Sequence, residues 1–114
     1  MVNIIKTDGK VVNVSLDVQL LKEGDYIVSY CPALELSSFG LTEIEAKEGF
    51  EGALETFLQE THDRGTLEIV LLDLGWSLVK KPTPKYQPPR QKIRANEKNP
   101  LFIGSFKESV SLPI

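Results

Sequence analysis

The fold is decided by the stretch GLTEIEAKEGFEGALETFLQETHDRG, which spans residues 40–65. Thr42 followed three residues later by Glu45 is the pattern of a helix capping box, in which the Glu45 carboxylate reaches back to the amide of Thr42. The pair Arg64–Gly65 suits the end of a helix, because a cation balances the helix dipole there and glycine tolerates a positive φ. We therefore predict one long helix over about 43–63.

This helix is expected to be amphipathic. Gly49 borders its apolar side, which indicates close packing against a sheet, and Gly52 lies on the outer side, where another chain could approach closely. The apolar side recurs at helical spacing and contains Ala46, Phe50, Ala53, Leu54, Phe57, Leu58 and Thr61. The opposite side is polar and mainly acidic, and contains Glu45, Glu48, Glu51, Glu55, Gln59 and Asp63.

The residues before the helix read as β-strands. Apolar and polar residues alternate over 12–20, which predicts a strand with one solvated face formed by Asn13, Ser15, Asp17 and Gln19. A second strand is expected over 26–31, stopped by Pro32, and a third over 34–39. Further upstream, 2–5 is β-prone and is followed by an Asp-Gly turn signal.

The residues after the helix predict a second, shorter one. Thr66 can cap a helix over about 67–74, in which Leu67, Val70, Leu71 and Leu74 share one stripe and Gly75 follows as a stop. A buried strand over 69–72 is the alternative, because short apolar runs are ambiguous by periodicity. Trp76–Val79 would form a last short strand, with Trp76 in the core.

Together these elements predict an α+β fold, in which a three- to four-stranded antiparallel sheet is covered by the two helices. The domain is expected to span 1–80. A Pro-rich basic linker over 81–99 and a segment over 100–114 should form an extended C-terminal tail. The last segment could dock on the body, add to a sheet edge, swap into a second subunit or await a partner.

Charge is distributed unevenly along the chain. Residues 1–79 carry five basic and fourteen acidic side chains, a net charge of −9, whereas residues 80–98 carry seven basic and one acidic, a net charge of +6. A basic run can indicate nucleic-acid binding, but only Tyr86 interrupts this one, which is sparse for base stacking. A solubilising linker and a contact with an acidic protein surface are the alternatives.

Three short motifs carry a resemblance to a known family. The sequence YIVSYCPAL over 26–34, the pattern G-x-T-x-x-E-A over 40–46 and the acidic helix that follows resemble the HicB-type antitoxins and their stand-alone relatives. The likeness covers about residues 10–80. It departs from the family pattern where Glu35-Leu36-Ser37 replaces Pro-Gly-Cys and where Ile44 replaces one of two paired acids.

The resemblance implies a partial ribonuclease-H-like fold without its catalytic carboxylates. It also implies dimerisation and binding to a small basic mRNA-cleaving toxin of the HicA type, whose active site the antitoxin covers. Many relatives add a C-terminal DNA-binding motif. Residues 80–114 show no such motif, so direct DNA binding is not expected.

The predicted binding residues come from the acidic side of the helix and from the basic tail: Glu45, Glu48, Glu51, Gly52, Glu55, Lys85, Tyr86 and Arg90. Charge attraction between these residues and a basic toxin would bring the two proteins together. A structural homodimer with swapped C-terminal strands and no toxin is the alternative. A small hydrolase using Asp17 and Asp25 is a third hypothesis.

No catalytic, metal-binding or cofactor-binding pattern is expected. Cys31 reads as a small buried hydrophobe, and His62 as a solvated residue near the end of the helix. One Cys and one His make no zinc-ligand cluster. No apolar run reaches the ~18 residues of a membrane span, and a single Cys fits a reducing cytoplasm, where we expect the protein to act.

Overall fold

The computed structural model describes residues 11–79, 85–89 and 101–113. The strands are β1 (Val11–Glu23), β2 (Tyr26–Cys31), β3 (Leu36–Gly40), β4 (Ser77–Val79), β5 (Lys85–Gln87) and β6 (Phe102–Pro113), and the helices are α1 (Glu43–Asp63) and α2 (Leu67–Asp73). The predicted α+β fold is confirmed. The strand predicted at 2–5 lies outside the described residues.

The main sheet is antiparallel, with the strand order β3-β2-β1-β6. β1 is much longer than β2 and pairs with it only through Gln19–Glu23, whereas β6 pairs with β1 from Val11 to Leu21. The C-terminal segment therefore adds a strand to the sheet edge of its own chain. The β1–β6 ribbon extends past β2, and the small β4–β5 sheet contacts β1 through β5.

Local sequence sets both ends of α1. Thr42 is extended, and its hydroxyl accepts the Glu45 amide at 3.1 Å. The Glu45 carboxylate accepts the amide of Leu41 at 2.8 Å, not that of Thr42 as predicted. Successive amides point in opposite directions along an extended chain, so Leu41 is the residue whose N–H faces the carboxylate.

The C-terminal end of α1 is a Schellman motif. Gly65 has φ +67, and its amide donates to the backbone carbonyl of His62 at 3.0 Å. The Thr66 amide donates to the backbone carbonyl of Thr61 at 2.8 Å. The same pattern ends α2, where Gly75 has φ +96 and the Trp76 amide donates to Leu71 at 2.9 Å.

The short helix was predicted correctly, but its cap was not. The Thr66 hydroxyl makes no capping bond to α2 and instead donates to the Thr61 carbonyl at 3.5 Å. Thr66 has φ −112 and ψ 3, because it also completes the end of α1, and this conformation differs from the extended one of a usual N-cap.

One continuous core holds these elements together. α1 contributes the fully buried Phe50, Leu54 and Leu58, and Trp76 is also buried, with its indole N–H donating to the Ala33 carbonyl at 2.8 Å. The predicted apolar side of α1 is confirmed, with Ala53 and Phe57 only half-buried. The described tail residues join the same core through Tyr86, Val110 and Leu112.

The helix lies unusually close to β2 and β3. The Ser29 hydroxyl donates to the Ala46 carbonyl at 2.8 Å, and a Cβ at Gly49 would lie 2.5 Å from Ser38 Oγ. This confirms that Gly49 serves close helix–sheet packing. A Cβ at Gly52 would meet nothing within 4 Å, as expected for the outer side of the helix. Neither helix is long and apolar enough to cross a membrane, within the part of the chain that the structure describes.

Candidate interaction surface

The outer side of α1 presents a row of carboxylates to solvent. Glu48, Glu51 and Glu55 are exposed and lie within two helical turns, about 10 Å along the axis. No Lys or Arg of the described residues forms an ion pair with any of them. No ion pair among the described residues therefore occupies these carboxylates, and Glu51 has a further titratable neighbour, the Glu108 carboxyl. We call this row the acidic face.

The other predicted residues of this helix have different surroundings. The Glu45 carboxylate is occupied by its capping bond to Leu41. Gly52 lies in open space and presents only backbone. The main role of Glu45 is therefore to cap the helix, whereas Gly52 leaves room for another chain to approach the backbone of α1.

The predicted tail residues do not join the acidic face. Lys85 is exposed on the hairpin beside β1, and Arg90 lies outside the described residues. Tyr86 is only 6% exposed and packs edge-to-face on Trp76, with ring centroids 6.4 Å apart. The assignment of Tyr86 to a binding surface is therefore wrong. Strand alternation turns Lys85 and Gln87 outward and Tyr86 inward.

Burial also changes the chemistry of Tyr86. Desolvation raises the pKa of its phenol, and the nearby Glu68 carboxylate adds to the effect. The phenol therefore stays neutral over the physiological range and functions as part of the core.

Sequence reasoning missed Glu108, a buried carboxyl on β6. It is 8% exposed and lies opposite Leu16 on the side of the sheet that faces α1. Burial raises the pKa of the Glu108 carboxyl, and the neighbouring Glu51 carboxylate raises it further. The signal was present in the alternation of β6, where Glu108 is in phase with Phe106 and Val110.

Around this carboxyl, α1 and β6 meet through mixed contacts. Lys47 Nζ lies 5.2 Å from the centre of the Phe106 ring, and Phe106 packs edge-to-face on Phe50. The Lys47 charge is thus placed over an aromatic ring that β6 presents to the helix.

The outer face of the sheet, opposite α1, has two different halves. Along the β1–β6 ribbon it is polar, with Lys107 Nζ bound to Asp17 Oδ1 at 2.7 Å and the Ser111 hydroxyl to Asn13 Oδ1 at 2.7 Å. Gln19 is the exception in the predicted solvated row, since it is only 5% exposed. It sits where β1 is flanked by both β2 and β6, so its neighbours cover it.

The half nearest β3 is apolar and open. A shallow depression of about 580 Å³ is lined by Leu21, Val28, Tyr30 and Phe39, with Glu23 at its rim. Phe39 is 65% exposed and meets Tyr26 edge-to-face at 5.5 Å. This half offers an apolar contact surface next to the edge of the sheet.

The groups considered for catalysis are kept apart or occupied. The Cys31 thiol is fully buried, and burial raises its pKa, which disfavours the nucleophilic thiolate. Asp17 is paired with Lys107, and six residues of β1, about 20 Å, separate it from the end of the strand next to Asp25. In residues 11–79, 85–89 and 101–113 no three His, Cys, Asp or Glu side chains form a metal-binding group.

Comparison of the chain with protein-family models, with curated proteins and with solved structures found no match.

Proposed function

We propose that this protein is a HicB-like, non-catalytic binding module that acts in the cytoplasm and neutralises a small basic mRNA interferase of the HicA type. The observation that carries the proposal is the acidic face: Glu48, Glu51 and Glu55 are exposed on one helix without a cationic partner among the described residues. A ribonuclease that binds RNA needs a positive surface, and this helix presents the complementary charge.

Three features of the chain support this function over an enzymatic one. The single thiol is buried, the Asp17 carboxylate is paired, and Asp25 stands in the turn that joins β1 to β2. Recognition by a charged surface needs no convergent reacting groups, only complementary charge and an accessible face. The short motifs that resemble those of HicB-type antitoxins indicate the class of partner.

The test uses charge reversal away from the buried carboxyl. The double variant E48K/E55K changes the acidic face by four charge units and leaves Glu51, which neighbours Glu108, in place. The matched control E60K/D73K changes the net charge equally, but at exposed positions elsewhere on α1 and α2. The candidate partner for this test is the protein encoded by the adjacent reading frame, which the proposal expects to be small and basic.

Binding is measured by calorimetry, and neutralisation by the cleavage of an mRNA by that partner. We expect E48K/E55K to weaken binding at least tenfold at low salt and to restore cleavage, while the control stays close to the parent protein. An equal loss of affinity in both double variants would mean that binding depends on the net charge of the protein and not on the acidic face. An unaltered affinity in E48K/E55K would refute the proposal.

A further inference from the structure

The two outer edges of the main sheet are built differently. β6 contains Lys107 and Glu108, ends at Pro113 and pairs with β1 through an irregular register at Leu20/Leu21. Charges, proline and irregular pairing are the features by which edge strands avoid further pairing. β3 reads Leu-Ser-Ser-Phe-Gly and has none of them. Its pairing with β2 is regular from Leu36 to Gly40.

No strand in residues 11–79, 85–89 and 101–113 pairs with the outer edge of β3, which we call its free edge, and this edge lies beside an apolar surface. Strand alternation puts Ser37 and Phe39 on the outer face of the sheet, both exposed, and the depression lined by Val28 and Tyr30 lies next to them. A strand added to this edge would cover Phe39, which is 65% exposed. Backbone hydrogen bonds to β3 would align the added strand with the sheet. One side chain of the added strand would enter the depression.

The outer side of α1 leaves open space at Gly52. Gly49 touches β3, and Gly52, three residues later, lies on the adjacent side of α1, turned further from the core. A Cβ at Gly52 would meet nothing within 4 Å, although a glycine inside a helix is unfavourable. The packing of the described residues does not explain a glycine here, whereas the close approach of another backbone would.

The charges around β3 decide which occupant fits. Glu35 precedes the strand, Glu43 follows it, and Glu23 and Asp25 stand at the turn beside Tyr26, all of them exposed. Lys22, the cation nearest in the chain, points to the other face of the sheet by alternation. The edge is therefore bordered by negative charge on every side that the described residues form.

This border disfavours a second copy of the chain. An antiparallel pair of β3 strands centred on Ser38 would place Glu35 of each copy opposite Leu41 of the other. Leu41 is two residues before Glu43, the first residue of α1. Like charges would meet at both ends of the pair. A basic segment would instead find opposite charges at both ends.

We propose that the free edge of β3 is a strand-addition site for an extended segment of another protein, with uncharged, alternating apolar residues in its middle and basic residues at its ends. The edge of β3 and the depression beside it do not include Glu48, Glu51 or Glu55, so this inference does not rest on the toxin proposed above. The partner is recognised by its backbone and its flanking charges.

The test uses a synthetic peptide as the probe, Lys-Thr-Val-Thr-Val-Thr-Lys, titrated into the full-length protein labelled with ¹⁵N. Two comparison peptides carry Glu at both ends or N-methyl groups on alternate amides, which remove the pairing donors of one edge. We expect amide shift changes centred on 36–40 and at least tenfold weaker binding of both comparison peptides.

Two variants and one control locate the site. Ser37→Lys adds a repelling charge on the outer face of β3, and Phe39→Ser removes the exposed ring that an added strand would cover. Both should weaken the peptide at least fivefold without loss of folded structure. Ser109→Lys, at an exposed serine on the other edge strand, should leave binding unchanged.

Several results would overturn the proposal. Shift changes centred on β6, equal binding of the N-methylated peptide, or no shift change at millimolar peptide would each do so. Sedimentation of the peptide-free protein provides the last check. A dimer whose formation Ser37→Lys abolishes would make a second copy the occupant and refute the choice of a basic partner.

Discussion

Two glycines on the same helix give a sharp test of how α1 meets the sheet. Replacement of Gly52 by alanine adds a Cβ that meets no atom within 4 Å, so only the helix propensity changes. Alanine is favoured over glycine in a helix by about 1 kcal/mol. We expect Gly52→Ala to raise the free energy of unfolding by about this amount.

Gly49→Ala brings the same gain in propensity together with three close contacts. The new Cβ would lie 2.5 Å from Ser38 Oγ, 3.3 Å from the Phe39 carbonyl oxygen and 3.4 Å from Ser38 Cβ. Rotation of the serine relieves only the first contact, because the other two involve backbone or a Cβ fixed to it. Overpacking of this kind costs about 1–3 kcal/mol. Because the propensity terms cancel, Gly49→Ala should be less stable than Gly52→Ala by about that cost.

Urea unfolding followed by far-UV circular dichroism gives the free energy of unfolding of both variants. An equal dependence of this free energy on urea concentration would show that both variants unfold in the same transition. Ser38→Ala should couple with Gly49→Ala by about 1 kcal/mol, because it removes the nearest atom, and should be additive with Gly52→Ala. If Gly49→Ala were as stable as Gly52→Ala, the close approach of α1 to β3 would be incorrect.

Three further predictions concern the buried carboxyl, the indole and the helix cap. Since folding raises the pKa of Glu108, protonated Glu108 favours the fold at acidic pH, and this contribution is lost as pH rises through the raised pKa. Glu108→Gln should therefore stabilise the protein at pH ~7 relative to the parent, with the difference shrinking toward pH ~4, in urea titrations at both pH values. Trp76→Phe should cost about 2–3 kcal/mol in the same assay, because it leaves the Ala33 carbonyl without its donor and removes buried volume. Thr42→Ala should cost about 1 kcal/mol, and an unchanged midpoint would show that the hydroxyl cap is dispensable.

The sequence was most informative where the determinants of structure are local. Thr42 and Gly65 lie within a few residues of the groups they bond, so the limits of α1 follow from short patterns. The role of Gly49 could also be inferred, because its position on the border of an apolar stripe implies contact with whatever covers that stripe. In each case the relevant partner is near in sequence or defined by helical spacing alone.

The predictions that went wrong depend on contacts between distant residues. Tyr86 is drawn into the core by Trp76, and Gln19 is covered because β6 pairs with β1 across about ninety residues of sequence. The apolar character of 101–112 suggested several fates for the tail, and the residues alone could not select the pairing with β1. Glu108 was missed for the same reason, since its burial depends on α1 lying above β6.

Salt dependence separates the two proposed surfaces in physical terms. A partner attracted to the acidic face is held by exposed charges, which salt screens beyond about 8 Å at physiological ionic strength. Binding there should weaken steeply as salt increases, because no Lys or Arg in the part of the chain that the structure describes is paired with Glu48 or Glu55. A strand added to β3 is held largely by backbone hydrogen bonds and by the cover it gives to Phe39, neither of which salt screens. Its flanking charges contribute a part of the affinity that salt screens, whereas affinity for the uncharged middle of the segment persists in high salt. The affinity of a partner that used both surfaces would fall steeply with salt and then level off at a residual value. Ser37→Lys would abolish only this residual, salt-resistant affinity.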